Sequence, residues 1–235
     1  MGLNNPVQLC VTLVGNPNTG KSTIFNALTG LRQHTGNWPG KTVLTARGVY
    51  HYKGREFLLI DLPGTYSLVA NSPEERVARD FLFFGHPDAT VVVADATCLE
   101  RNLNLALQVM EITSRVIVCV NLIDEARKKN LNINIAVLAR ELGVPVVATA
   151  ARTGQGLDEL KDLIYAVACG YITPCPREIG YGHYIEERLQ KLLPLIQPYV
   201  SERRQARWLA LRLLEGDESL LETWANKHLR DDSYD

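Results

Sequence analysis

Four clusters of residues in this 235-residue chain have types and spacings suited to holding a phosphorylated ligand. The first is GNPNTGKST, which fits G-x-x-x-x-G-K-[ST] through Gly15, Gly20, Lys21 and Ser22. Glycines let the backbone curl so that successive amides face a phosphate chain, and the helix that follows adds the positive end of its dipole. Asn16, Pro17, Asn18, Thr19 and Thr23 complete the cradle. Lys21 is expected to reach the β- and γ-phosphates and the Ser22 hydroxyl to ligate Mg²⁺. The second cluster is DLPG, where the Asp61 carboxylate can hold the hydration shell of Mg²⁺ and the Gly64 amide can reach a γ-phosphate. The third is NLID, Asn121, Leu122, Ile123 and Asp124. A carboxylate only accepts hydrogen bonds, so Asp124 suits the two adjacent N–H donors of a guanine edge and disfavours adenine, which makes GTP or GDP the expected ligand. The plainer role for Asp124 is a helix N-cap. The fourth is Thr149, Ala150 and Ala151, with the Ala150 amide expected to contact the guanine oxygen.

These clusters need a frame that delivers each of them to one edge. Up to about residue 170, short β-branched runs alternate with helical patterns, the signature of a mostly parallel α/β sheet with helices on both faces. Strands are expected in VQLCVTLVG, RGVYHYKG, REFLLIDLPG, ATVVVADAT, RVIVCVNLID and VPVVATAA, and helices near 21–30, 74–85, 100–113, 134–142 and 156–168. Ligands of open α/β sheets bind beyond the carboxyl ends of the strands, which is where the four clusters fall. After GYITPCPREIGYG no strand-like run recurs. Ile185, Leu189, Leu192 and Ile196 repeat at helical spacing, Pro194 is a potential kink, Ser201 and Asp217 are candidate N-caps, and Gly216 fits a helix stop. The expected division is a nucleotide-binding domain over 1–170 and a small all-helical domain over 171–235, with Trp208 and Trp224 as anchors of its core.

Composition narrows the class further. A hydrophobic fraction of 46% with 22% charged residues describes an ordinary globular chain with enough apolar side chains for a core, and it excludes a disordered one. The formal net charge is −1, which offers no general attraction to nucleic acid. Five cysteines without a CxxC pair suit reduced thiols in a cytoplasmic compartment. No run approaches the roughly 18 apolar residues of a membrane span. The five histidines never fall at ligand spacing with a cysteine or with one another, so an iron site is not expected.

The order and spacing of the clusters resemble the small-GTPase superfamily. Their fillings, GNPNTGKST, TGNWPGKTV, DLPGTYSL, SPEERVARDFL, DATCLERNL and NLID, resemble more closely the cytosolic N-terminal part of the bacterial ferrous iron transport protein B family. That resemblance runs from about Val7 to Leu160, and it implies a GTPase module with a helical domain that favours the GDP-bound state. It also implies a membrane iron permease fused C-terminally, a place on the cytoplasmic face of the inner membrane, and possible oligomers through the full-length protein. Within the family pattern Thr42 is the switch residue that completes Mg²⁺ coordination, with Lys41 beside it.

Two departures from Ras-like enzymes carry consequences. Thr65 follows DLPG where those enzymes place the glutamine that orients water, so hydrolysis should be slow unless something else stabilises the developing charge. Thr149-Ala150-Ala151 lacks a lysine stem over the base. Asn18 could supply the missing charge by holding a monovalent cation with its amide oxygen. The resemblance implies potassium there, which places Asn18 with Lys21, Thr42 and Gly64 in the catalytic set. Two alternatives stand beside this: a ribosome-assembly or tRNA-modifying GTPase, and a binding switch with negligible hydrolysis.

Overall fold

In a computed structural model of the chain, the described residues are 8–30, 33–37, 44–69, 72–200, 202–217, 220 and 223–224. Among them the contacts divide the chain into two compact units, 1–177 and 178–235.

The first unit is built on a seven-stranded sheet. Its strands are β1 Leu9–Gly15, β2 Gln33–Asn37, β3 Leu44–Tyr52, β4 Arg55–Asp61, β5 Ala89–Asp95, β6 Val116–Asn121 and β7 Val146–Ala148. Their order is β2-β3-β4-β1-β5-β6-β7. β1 pairs parallel with both β4 and β5, and β5, β6 and β7 continue in parallel. β3 turns into β4 through Lys53 and Gly54, both at positive φ (46° and 74°). Such a two-residue turn forces antiparallel pairing, and β3 and β4 pair antiparallel. β2 and β3 are also antiparallel, and β2 has no counterpart in the sequence expectations. QHTGN lacks the apolar alternation that marks a strand.

The central strands read as continuous apolar runs because both faces are covered. β6 is buried along its whole length, and β5 up to Ala94. The one hydroxyl pair between β1 and β5 is satisfied internally, with Thr12 Oγ1 donating to Thr90 Oγ1 at 3.1 Å. Coverage comes from α1 Lys21–Thr29, α2 Pro73–Phe84, α3 Leu99–Ile112, α4 Ile123–Lys128, α5 Ile135–Leu142 and α6 Leu157–Ala168. α2 begins as its sequence dictates, with the Ser72 hydroxyl accepting from the Glu75 amide and Pro73 at the first helical position. The short α4 was not anticipated. Its N-cap is Leu122 at φ 61°, so Asp124 lies in the first turn and is not the cap. Strand order reverses at β1, whose neighbours β4 and β5 lead in opposite directions. That reversal opens the crevice in which ligands of such sheets bind.

The second unit contains α7 His183–Ile196 and α8 Arg203–Leu214. Leu189 and Ile196 of α7 are buried and Pro194 lies inside the helix. The N-cap of α8 is Glu202, and Ser201 lies outside the described residues. Asp217 Oδ1 accepts from the Leu220 amide at 3.2 Å, and Gly216 takes the left-handed φ of 77° that follows a helix end. Trp208 is buried, whereas Trp224 is half-buried and edge-on to Tyr199 at 5.8 Å.

Among the described residues of this unit a two-pronged polar link joins α8 to α7. The Arg207 guanidinium donates to both oxygens of Glu186, at 2.7 and 2.9 Å, and to the Ile179 carbonyl at 2.9 Å. The Tyr181 amide adds a bond to Glu186 at 2.8 Å. The Arg207 bonds, followed by that amide, pull the Glu186 carboxyl from its ordinary 4.5 down to about 2. A depressed carboxylate contributes stability that is complete above its unfolded value and disappears as pH falls through its folded value. The difference in urea-unfolding stability between the unmodified chain and Glu186→Gln should therefore be constant above about pH 5 and shrink from there towards pH 2. A difference that stayed constant down to pH 2 would show that Glu186 is not held as a carboxylate.

Candidate nucleotide site

The loop between β1 and α1 owes its shape to a few backbone positions. Gly15 sits against β5, where an added Cβ would lie 2.5 Å from the Val93 carbonyl oxygen. Asn18 and Gly20 both have positive φ (66° and 81°), and asparagine is among the few non-glycine residues that tolerate this region. Thr19 is buried and its hydroxyl donates to the Asn16 carbonyl at 3.0 Å. α1 starts without a side-chain cap, so its leading amides face the crevice unclaimed by a capping side chain. A cleft of about 390 Å³ lies over them, lined by Asn16, Pro17, Asn18, Gly20, Lys21, Ser22, Thr23 and Gly64. The Asn18 side chain is exposed there and has no protein partner among the described residues.

The DLPG segment closes one side of this cleft. The Thr65 amide donates to the Gly15 carbonyl at 3.2 Å, and a Cβ on Gly64 would lie 3.3 Å from Pro17 Cα. Lys21 does not extend along the cleft in this structure. Its ammonium is held by Asp61 Oδ1 and by the Leu62 carbonyl at 2.6 Å. Burial pushes the Asp61 carboxyl up and the Lys21 charge draws it back in part. Ser22 Oγ lies 3.4 Å from Asp61 Oδ2. A hydroxyl beside a carboxylate at the mouth of a phosphate cradle is a donor set that fits a hard divalent cation completed by phosphate oxygens. Among the described residues no group of three or more His, Cys, Asp or Glu is placed to hold a metal unaided. Lys41 and Thr42 lie outside the described residues.

A second cleft of about 180 Å³ is lined by Gly20, Thr23, Asn121, Leu122, Asp124, Glu125, Ala150, Ala151 and Arg152. Gly20 and Thr23 line both clefts, so a phosphate cradle and a base-sized recess adjoin. Asn121 does not face the recess as a free donor. Its Nδ2 donates to the Thr19 carbonyl at 2.9 Å, and its Oδ1 accepts from Thr149 Oγ1 at 3.0 Å and the Ala151 amide at 3.1 Å. It is 1% exposed and works as a strut joining three of the four clusters. Gly20 must remain glycine beside it, because a Cβ would lie 2.3 Å from Asn121 Nδ2. Thr149 also meets Cys119, whose thiol burial pushes up to about 12. The Ala150 amide, expected to read the guanine oxygen, donates here to the Gln155 carbonyl at 3.0 Å. Two carboxylates remain as acceptors in the recess, Glu125, which is already paired with Lys128 at 2.9 Å, and Asp124, which is the one suited to two adjacent donors.

Sequence reasoning missed Glu125 and Arg152, which line the base-sized recess with side chains 4.0 Å apart. Arg152 directly follows the Thr-Ala-Ala cluster, and that adjacency was the only signal. Thr65 is 3% exposed and its hydroxyl donates to the Ser67 carbonyl at 2.7 Å, so it has no hydroxyl proton free to orient water.

The family described as ferrous iron transport protein B matches residues 9–164, and the FeoB cytosolic helical domain family matches 181–233. The chain is 40% identical over 214 residues to an Fe(2+) transport protein A/Fe(2+) transporter FeoB fusion protein of Porphyromonas gingivalis, covering 89% of this chain and 25% of that protein. It is 38% identical over 216 residues to the Fe(2+) transporter FeoB of Shigella flexneri, covering 89% and 27%. The chain thus spans about a quarter of the length of these relatives. The cytosolic domain of the T. maritima FeoB iron transporter in a GDP form superposes with a TM-score of 0.84 at 39% identity, over 93% of this chain and 86% of that one.

Replacing Asn121 by alanine should destabilise the chain by about 2–4 kcal/mol, since the Thr149 hydroxyl, Ala151 amide and Thr19 carbonyl all lose a buried partner. Urea unfolding without nucleotide measures it. A loss below about 0.5 kcal/mol would remove the strut from the structure's supports.

Proposed function

This chain belongs to the ferrous iron transport protein B family, and we propose that it binds GTP and hydrolyses it slowly as a switch that regulates ferrous iron transport through a membrane region of a longer protein. The observation that carries the proposal is the adjoining pair of clefts, one lined by the Gly15–Thr23 loop and Gly64, the other by Asp124 and Ala150–Arg152, meeting at Gly20 and Thr23. A triphosphate and a guanine base joined by a ribose need these two environments side by side.

In the proposed reaction water attacks the γ-phosphorus, the bond to the β–γ bridging oxygen breaks, and GDP and phosphate leave. Loop amides from Gly15 to Thr23 bind the phosphates, and Lys21 leaves Asp61 to neutralise their growing charge. The Gly64 amide binds a γ-oxygen. Ser22, Thr42 and Asp61 would hold Mg²⁺, which when bound would neutralise phosphate charge. Asp124 accepts from the guanine edge while Asn121, Leu122 and Thr149 fix the walls around it, and Ala151 gives the base no lysine cover. The helical unit, which matches the family's cytosolic helical domain, would bias the switch towards GDP if its stability is coupled to the nucleotide state.

Asn18 fits a monovalent cation, because its exposed amide lines the phosphate cleft and has no protein partner among the described residues. Thr65, whose hydroxyl is already donated to Ser67, adds nothing to the neutralisation by Lys21 and the Gly64 amide, so a cation at Asn18 would supplement them. Potassium should therefore speed phosphate release by on the order of tenfold over sodium, the size of one favourable contact to developing charge. Asn18→Ala should erase that difference and keep nucleotide binding, which rests on Lys21 and the backbone amides. Steady-state phosphate release in matched potassium and sodium buffers decides it, and equal rates for the unmodified chain return Asn18 to a loop-shaping role.

Asp124→Asn should weaken GTP by on the order of 100-fold, because two hydrogen bonds to a charged acceptor are lost, and should favour xanthosine triphosphate. Titration calorimetry with both nucleotides measures this. Unchanged GTP affinity would remove Asp124 from base recognition.

A further inference from the structure

The segment after DLPG is held at both ends, and one of its anchors belongs to none of the four clusters. On the crevice side the Thr65 amide donates to the Gly15 carbonyl. Thr65 and Ser67 then lock to each other, with the Thr65 hydroxyl donating to the Ser67 carbonyl at 2.7 Å and the Ser67 amide donating back to Thr65 Oγ1 at 3.3 Å. On the far side Gln108 of α3 receives the chain. Its Oε1 accepts from the Leu68 amide at 2.7 Å and from Ser67 Oγ at 3.3 Å, and Ser67 Oγ in turn accepts from the Val69 amide at 3.1 Å. Leu68 itself is 2% exposed. Seven residues before Gln108, on the same face of α3, the Arg101 guanidinium lies 4.5 Å from the Tyr66 ring.

We propose that Gln108 is a positioning residue for GTP hydrolysis: by fixing Ser67 and Leu68 it holds the Gly64 amide against the phosphate cleft, where the γ-phosphate must meet it. The inference rests on the proposed GTPase function. A backbone amide can only donate, so the Gln108 atom facing Leu68 is the oxygen, whichever way the amide plane was assigned. The side chain therefore serves purely as an acceptor, and a carboxylate of the same length can replace it. Without this anchor the stretch from Leu62 to Tyr66 keeps its hydrogen bonds to Leu13, Lys21 and Gly15 on the crevice side and loses those that fix its continuation on α3. The Gly64 amide then samples orientations away from the cleft, and a pre-organised donor becomes one that must be ordered during the reaction. GDP has no γ-phosphate, so its binding does not draw on Gly64.

Gln108→Met keeps the length and apolar packing of the side chain but removes the acceptor. It should lower kcat for GTP about tenfold, with KM and GDP affinity within about twofold of the unmodified chain, as expected for a contact made only as charge develops. Gln108→Glu should restore kcat to within about threefold, since a carboxylate accepts both donors more strongly. Steady-state phosphate release, together with titration of GDP, reads all three quantities. A Met variant that matches the unmodified chain overturns the inference. So does a Glu variant as slow as the Met variant, or a Met variant whose GDP affinity falls in step with kcat, since either marks a merely structural role. An unmodified chain that releases no phosphate overturns the GTPase proposal and this inference together, an outcome distinct from the others because no variant is needed to see it.

Discussion

The site depends above all on one buried amide side chain. Asn121 ends β6 and reaches both ways, donating to the Thr19 carbonyl of the loop after β1 and accepting from Thr149 and Ala151 after β7. These three strand ends are not adjacent in sequence, and without a common partner each loop would settle by its own local preferences. A buried amide whose donor and acceptor are both satisfied is costly to rearrange, because any shift leaves polar groups unpaired away from water. The bond to Thr19 also constrains the loop itself. It brings Nδ2 so close to Gly20 that only a residue without Cβ fits, at a φ that glycine adopts freely.

The same economy governs the charged groups. Lys21 and Asp61 are both largely buried and face each other in the crevice. A buried ion pair gains little net stability, since the desolvation of both charges offsets their attraction. What it does provide is a lysine already desolvated at the place where phosphate charge is to be met, and a carboxylate already beside a serine hydroxyl. The segment after Asp61 is then fixed by hydrogen bonds to Gly15 on one side and to α3 on the other. Its geometry thus reflects two elements distant from it in sequence.

Much of the fold was legible in the sequence, for identifiable reasons. β5 and β6 are continuous β-branched runs because both faces are covered, and the strands flanking Lys53 and Gly54 were legible, whereas their antiparallel pairing was not, because Lys-Gly is not one of the dipeptides that mark such a turn. α2 announced itself as a helical pattern near 74–85. β2 and α4 did not, because QHTGN carries no apolar alternation and the six residues of α4 are too few for a periodic stripe. In the second unit the helices were legible from Leu189 and Ile196, whereas the Arg207–Glu186 link that joins them was not, since nothing local pairs residues 21 apart.

For the candidate site, the sequence alone determined the inventory. Gly15, Gly20, Lys21 and Ser22 bring backbone and charge suited to phosphate, and Asp124 brings an acceptor-only group after a strand, because these are properties of residue type and spacing. Tertiary structure alone decided how those groups are engaged. It turned Asn121 into a strut, paired Lys21 with Asp61, gave the Ala150 amide to Gln155, buried the Thr65 hydroxyl and brought Gln108 to the segment after DLPG. The physical reason is that hydrogen bonds and ion pairs depend on distances of about 3 Å between atoms. Residues 28 to 102 positions apart, as Asn121 is from Thr149 and from Thr19, acquire such distances only when the strand order of the sheet brings their loops to the same edge.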